Sequence, residues 1–141
     1  MQILVIDRGK WNCGRKKLNP KLLQPHTGMM CCLGFLAYFG LHAKEEDIIN
    51  VGMPSEVHSV CAWPIKLFGM YTKDEVLSNA IGATVNGFYE RLLSWENFFA
   101  TINDIRTDIN HQLIDNDIRE AWIKEGFEKI LNIDVRFIGE H

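Results

Sequence analysis

The sequence predicts a small α+β protein, and three observations support that fold class. Residues 2–6 form an apolar run rich in β-branched side chains, and residues 133–138 alternate between apolar and polar. Several stretches between them carry apolar residues at helical spacing. The chain has 141 residues, the usual size of one domain. We therefore expect residues 1–141 to form a single domain, with helices packed on a small sheet that pairs 2–6 with 133–138.

The longest apolar run spans residues 27–40 and predicts a central helix. Its apolar residues fall on all sides, which is typical of a buried rather than an amphipathic helix. Thr27 is expected to cap its start, and Gly40 to end it in the left-handed conformation. At about 11 residues it is too short to cross a bilayer, which takes roughly 20, so we expect no membrane insertion.

The first half of the chain contains three further predicted segments. Residues 2–6 are interpreted as a buried strand, and residues 8–21 as a basic loop held against the core by Trp11. Residues 44–50 predict a short helix with Ile48 and Ile49 facing inward.

The second half of the chain is predicted to be mainly helical. Thr72 and Glu75 have the spacing of a capping box and indicate a helix from Thr72 to about Ile81. A second helix is expected from Phe88 to about Ile102.

The longest helix is predicted over residues 113–131. Either Asp115 or Asn116 caps its start, Asn132 ends it, and Ile118 belongs to the apolar face.

Charge is unevenly distributed along the chain. The first 21 residues hold six lysines and arginines against one aspartate, whereas the whole chain has a net charge of −3. This asymmetry predicts an anion-binding site near the N-terminal end, for which Arg8, Lys10, Trp11 and Arg15 are the candidate ligand-binding residues. A solvated basic loop is the alternative interpretation. The acidic remainder argues against general nucleic-acid binding.

Cys31 and Cys32 are the candidate reactive groups. At a helix N-terminus the macrodipole favours a thiolate, so either cysteine could serve as a nucleophile if the fold brings a histidine near it. Cysteine is also among the most buried residue types, and we favour packing in this apolar run. The N-terminus lacks the features of a signal peptide, so we expect a cytoplasmic protein with reduced thiols.

Other site types find little support in the sequence. The cysteines and histidines lack the paired spacing of a zinc site, and no phosphate-binding glycine loop is present, so we expect neither a metal nor another cofactor. Asn103 and Asp104 follow an apolar run and are candidates either for ligand binding or for helix capping.

A set of motifs spread over most of the chain resembles the "CCLG" proteins of tailed bacteriophages and prophages. The most specific part is Met30-Cys31-Cys32-Leu33-Gly34-Phe35, and residues 58–97 lie outside the match. The looser matches are Arg8, Trp11, Gly14, Leu18, Gly28, Gly40, Gly52, Pro54, Val57, Ile102 to Asp104, Ile133, Val135 and Phe137. The resemblance implies a phage origin and an accessory role. It implies no mechanism, because the family has no established activity.

The leading prediction for function is a non-enzymatic binding protein that acts on a host or defence component, either a host protein or a small anionic, nucleotide-like ligand. The alternative is a cysteine-dependent hydrolase or transferase that uses Cys31 or Cys32. We also expect that the protein can form a homo-oligomer.

Overall fold

The computed structural model describes residues 1–14, 21–56, 62–70, 94–107 and 111–141. Within them, two strands and four α-helices form the α+β fold that the sequence predicted. The strands are β1 (Gln2–Asp7) and β2 (Ile133–Ile138). The helices are α1 (Cys32–Phe35), α2 (Glu45–Ile48), α3 (Trp95–Asp104) and α4 (Asn116–Gly126). Single π-helical turns extend α1 over Leu36–Gly40 and α4 over Phe127–Leu131, and short 3-10 turns occupy Arg8–Lys10, Pro54–Glu56 and Ile65–Phe68.

The two strands pair in parallel, which confirms the predicted partnership of the two ends of the chain. The register runs from Gln2 opposite Ile133 to Asp7 opposite Ile138. The prediction that β1 is buried throughout was wrong, because its alternate residues Ile3 and Val5 are 51% and 42% exposed. Successive side chains of a strand point to opposite faces, so one face of β1 packs on the core and the other meets solvent.

The helix in the central apolar run begins later than predicted. Thr27 does not cap it; the Thr27 Oγ1 accepts a hydrogen bond from the N–H of Met29 at 3.2 Å in a turn. Met30 donates to the carbonyl of Lys10 at 2.9 Å, and Cys31 donates to the carbonyl of Lys21 at 3.1 Å. These contacts with distant segments hold Met30 and Cys31 extended, so α1 begins only at Cys32.

The end of this helical segment also differs from the prediction. Gly40 is not among the residues with positive φ, and the left-handed residue that follows the segment is His42, at φ 56°. At Gly40 a Cβ atom would lie 3.1 Å from Cδ1 of Leu36 and 3.3 Å from Nε2 of Gln2, so a larger residue would require these side chains to shift by a few tenths of an ångström. The start of the segment is buried on all sides as expected, but Phe39 is 49% exposed.

Two isoleucines predicted to face inward do not. Ile49 is 42% exposed, because the chain leaves α2 after Ile48 and Ile49 forms an isolated parallel bridge with Leu23. Ile118 is 48% exposed, because its neighbour Arg119 takes the inward position on α4.

The Asp115 cap and the Asn132 end of the longest helix are confirmed, but the helix begins at Asn116 rather than at Leu113, which instead bridges to Thr107. The side chain of Asp115 accepts a hydrogen bond from the N–H of Asp117 and caps the start of α4. Asn132 adopts the left-handed conformation, with φ 56° and ψ 42°, and separates the helical segment from β2. The predicted helix over 72–81 lies outside the described residues, as does the first part of the one predicted from Phe88.

The core joins the sheet to α1, α3 and α4 in one apolar cluster. Helices α3 and α4 approach closely at Gly126, where an added Cβ atom would lie 2.8 Å from the ring of Phe99. The Phe99 ring packs edge-on against Phe127, with centroids 4.8 Å apart. This packing places the C-terminal end of α3 beside the N-terminal end of α1, where most of the predicted site residues lie.

Candidate functional site

Asn103 connects several segments of the core and is fully buried. Its Oδ1 accepts hydrogen bonds from Nε1 of Trp11 at 2.8 Å and from the N–H of Cys32 at 3.0 Å. Its Nδ2 donates to the carbonyl of Asn12 and to Oδ1 of Asp104, both at 2.9 Å. Because the N–H of Cys32 belongs to the first turn of α1, Asn103 caps that helix from a neighbouring one. Two donations and two acceptances are the full capacity of an amide, so none is left for a ligand.

Arg119 caps the C-terminal end of α3, the end at which Asn103 also lies, and is 1% exposed. Its Nη1 donates to the carbonyls of Ile102 at 2.7 Å and Asn103 at 3.1 Å, and its Nη2 donates to that of Ile105 at 2.6 Å. Burial lowers the pKa of the guanidinium. The carbonyls at a helix C-terminus carry partial negative charge, so α3 stabilises the buried cation.

Arg8 is engaged within the chain by a bidentate ion pair with Glu120. Nε lies 2.9 Å from Oε2 and Nη2 lies 2.7 Å from Oε1, while Nη1 donates to the carbonyl of Gly139 at 3.0 Å. The hydrogen bond from Arg8 is the main reason that the pKa of Glu120 lies below its ordinary value, and His141 lowers it further. The positive charge of Arg8 is therefore largely neutralised before any ligand arrives.

The two adjacent cysteines are buried free thiols. Burial raises the pKa of Cys31 to about 12, and the N–H groups of Gly34 and Leu33 at the start of α1 offset this effect only in part. Burial also raises the pKa of Cys32 well above its ordinary value, and its sulfur contacts the carbonyl of Phe99 at 3.8 Å. Desolvation thus outweighs the helix terminus, and both thiols are held in the protonated form.

An open groove lies beside β1 and has a volume of about 380 Å³. Its apolar lining includes the half-exposed side chains of Ile3, Val5, Phe39 and Ile138. The remaining lining residues are Leu4, Asp7, Lys10 and Phe35. A smaller recess of about 180 Å³ shares Lys10 and Phe39 with it, and is completed by Leu23, Gly28, Met30, Tyr38 and Glu45. We call these two recesses together the Lys10 groove.

The structure thus separates the predicted ligand-binding residues into different environments. Trp11 and Asn103 are joined in the buried network, and Trp11 is buried in the core as predicted. Lys10 is exposed at the junction of the two recesses. Arg15 lies outside the described residues. The ligand-binding role assigned to these residues stays a prediction.

Sequence reasoning missed Arg119, Glu120 and the exposed residues of the groove. Nothing in the local sequence marks Arg119 as buried, because three of its four acceptors are carbonyls at the C-terminal end of another helix. Ile3 and Val5 carried a weak signal: they occupy alternate positions of a strand, so one face of a two-stranded sheet could leave both of them exposed.

Comparisons with known proteins found no matching family model, no similar curated protein and no similar solved structure. Among the described residues, no cluster of histidine, cysteine and acidic side chains has the geometry to hold a metal ion. The helices in that part of the chain are too short or too polar to traverse a bilayer.

Proposed function

We propose that this protein is a non-enzymatic binding protein that recognises a partner protein through the Lys10 groove. The observation that carries the proposal is the exposure of Ile3, Val5, Phe39 and Ile138 around one open groove. A contiguous exposed apolar surface with a charged rim is typical of an interaction site.

The state of the cysteines supports binding over catalysis. A cysteine-dependent hydrolase or transferase needs a thiolate, whereas burial favours the protonated form of both Cys31 and Cys32. Packing accounts for the burial of both thiols, and Asn103 together with the carbonyl of Phe99 accounts for the polar contacts of Cys32.

The distribution of charge favours a protein partner over a small anionic ligand. Arg8 is paired with Glu120, and the groove around Lys10 is lined mostly by hydrocarbon. A small anion gains little from an open apolar surface, whereas a polypeptide can bury apolar side chains there and place one carboxylate near Lys10. The resemblance to the phage CCLG proteins supports a host or defence component as the partner.

Photo-crosslinking inside host cells tests this proposal. A benzophenone amino acid replaces Phe39 in the groove, and in a control protein it replaces Ile65, which is 90% exposed and is not part of the groove lining. We expect a discrete protein adduct from position 39 that weakens when Lys10→Glu is added. Equal adducts from positions 39 and 65, or none from position 39, would refute the proposal.

A further inference from the structure

Within the described residues, one edge of β1 has no backbone hydrogen-bond partner. The strand pairs with β2 along one edge, and no backbone hydrogen bond joins Gln2–Asp7 to any other described part of the chain. Alternate residues of a strand direct their N–H and C=O groups to opposite edges, so about half of these groups in β1 face away from β2. An exposed strand edge of this kind is a template for pairing with another chain.

The Lys10 groove runs along this edge. Its lining includes Ile3 and Val5 from the solvent face of β1 and Leu4 from the core face. Because successive side chains alternate between faces, a recess that contacts three consecutive residues follows the edge of the strand. Phe35 and Phe39 line the same groove, so its apolar lining lies next to β1.

The charges at the end of the groove restrict what fits there. Lys10 lies where the two recesses meet, just beyond the C-terminal end of β1, and Glu45 lies in the smaller recess within 3.3 Å of the Tyr38 hydroxyl. Asp7 also lines the groove, but its Oδ1 accepts a hydrogen bond from the N–H of Gly9 at 2.9 Å. An occupant that passes Lys10 is favoured if it carries a carboxylate at that point.

We propose that an extended segment of the partner protein docks as a third strand on the free edge of β1. Its alternate apolar side chains pack between β1 and Phe39, and an acidic residue lies beside Lys10. This inference rests on the proposed function and specifies the mode of binding, which is strand addition.

A second copy of the chain fits this edge less well. In a parallel pairing of two β1 strands, Lys10 would lie beside its own counterpart. In an antiparallel pairing, Lys10 would extend past the start of the other strand, whose single carboxylate, Asp7, lies at the far end. A partner segment with an acidic residue supplies the charge that another copy lacks.

The test selects peptides and then removes their backbone donors. A random dodecapeptide display library is panned on the intact protein and depleted on the Phe39→Glu variant, whose folding is checked by circular dichroism. Val5→Lys serves as a second groove variant. The best peptide is synthesised unmodified and in two N-methylated forms, each methylated at every second residue in opposite phase.

We expect the two methylated forms to behave differently. Only one phase removes the N–H groups that pair with β1, so it should weaken the Kd at least about tenfold, while the other phase changes it by less than about threefold. Lys10→Gln should weaken the Kd about two- to fivefold, and Ile65→Glu should leave it unchanged. Hydrogen exchange of the Gln2–Asp7 amides should slow when the peptide binds.

Other results would overturn strand addition. If neither methylated form loses affinity but Phe39→Glu abolishes binding, the groove recognises side chains only, and the proposed function stands without strand addition. If no peptide is enriched over the depleted pool, strand addition fails, while crosslinking at position 39 still decides the proposed function. A dimer in the absence of peptide that Val5→Lys dissociates would assign the edge to a second copy.

Discussion

Replacing Asn103 by leucine should lower the free energy of unfolding by about 4 kcal/mol. Leucine has a similar shape but leaves three buried groups without partners: Nε1 of Trp11, the N–H of Cys32 and the carbonyl of Asn12. Each unsatisfied buried group costs about 1–3 kcal/mol. Three such groups together cost about 3–9 kcal/mol, and we take a value in the lower half of this range because the leucine side chain adds apolar contacts. Domains of this kind have a total stability of about 5–15 kcal/mol, so the loss is readily measurable.

Urea unfolding followed by circular dichroism measures this effect. Asn97→Leu is the matched control, because Asn97 is half-buried on the same helix and its side chain makes no hydrogen bond within the described residues. We expect the control to change stability by less than about 0.5 kcal/mol.

A double-mutant cycle tests the network itself. Trp11→Phe keeps an aromatic ring but removes the donor that Asn103 accepts, so the double variant should be more stable than the sum of the single losses implies, by at least about 1 kcal/mol. Wild-type stability in Asn103→Leu, or strictly additive losses in the cycle, would refute the view that Asn103 holds these segments together.

Three further predictions concern the thiols and the buried ion pair. Because burial raises the pKa of Cys31 to about 12, against an ordinary 9.0, Cys31 should react with iodoacetamide at pH 7 about a thousandfold more slowly in the native protein than in urea. Mass spectrometry measures the two rates. If the rate in urea exceeds the native rate by less than about tenfold, the nucleophile hypothesis is favoured again. In chemical denaturation, Cys32→Ser should lower the free energy of unfolding by about 1 kcal/mol, even though a hydroxyl can still donate to the carbonyl of Phe99. Cys31→Ser should leave that free energy unchanged or raise it, because serine is a better N-cap than cysteine. The opposite ranking would contradict the packing interpretation. Arg8 lowers the pKa of Glu120 below its ordinary 4.5, so the stability contributed by this carboxylate is present above that value and is lost as the pH falls through the lower folded pKa. Wild-type stability should therefore fall more steeply in acid than that of Glu120→Gln. If the urea midpoints of the two proteins instead decrease with the same slope in acid, the ion pair has no such linkage.

The sequence determined the features that depend on neighbouring residues. The alternation of Ile133, Val135 and Phe137 predicts β2, and the structure confirms it. Asp115 and Asn132 mark the ends of the longest helical segment, because a cap and a left-handed residue act on backbone groups within one turn. The sequence also predicted that the two terminal strands belong to one small sheet, because they are its two clearest strand patterns, whereas their parallel register was decided by the tertiary structure.

Tertiary structure decided where long-range contacts compete with local preference. Met30 and Cys31 have apolar helical surroundings in sequence, yet backbone hydrogen bonds to Lys10 and Lys21 keep them extended. Arg119 is buried because α3 presents its terminal carbonyls at that position. No sequence pattern reports which distant group will meet a given side chain.

The chemistry of the candidate sites was decided in the same way. From the sequence, the helix terminus predicts a lowered thiol pKa at Cys31, but the fold removes water from it and reverses the sign. The same folding leaves Ile3, Val5 and Phe39 exposed around Lys10 and forms the groove. Local sequence therefore set the elements, whereas desolvation and long-range packing determined which side chains are sealed in the core and which can meet a partner.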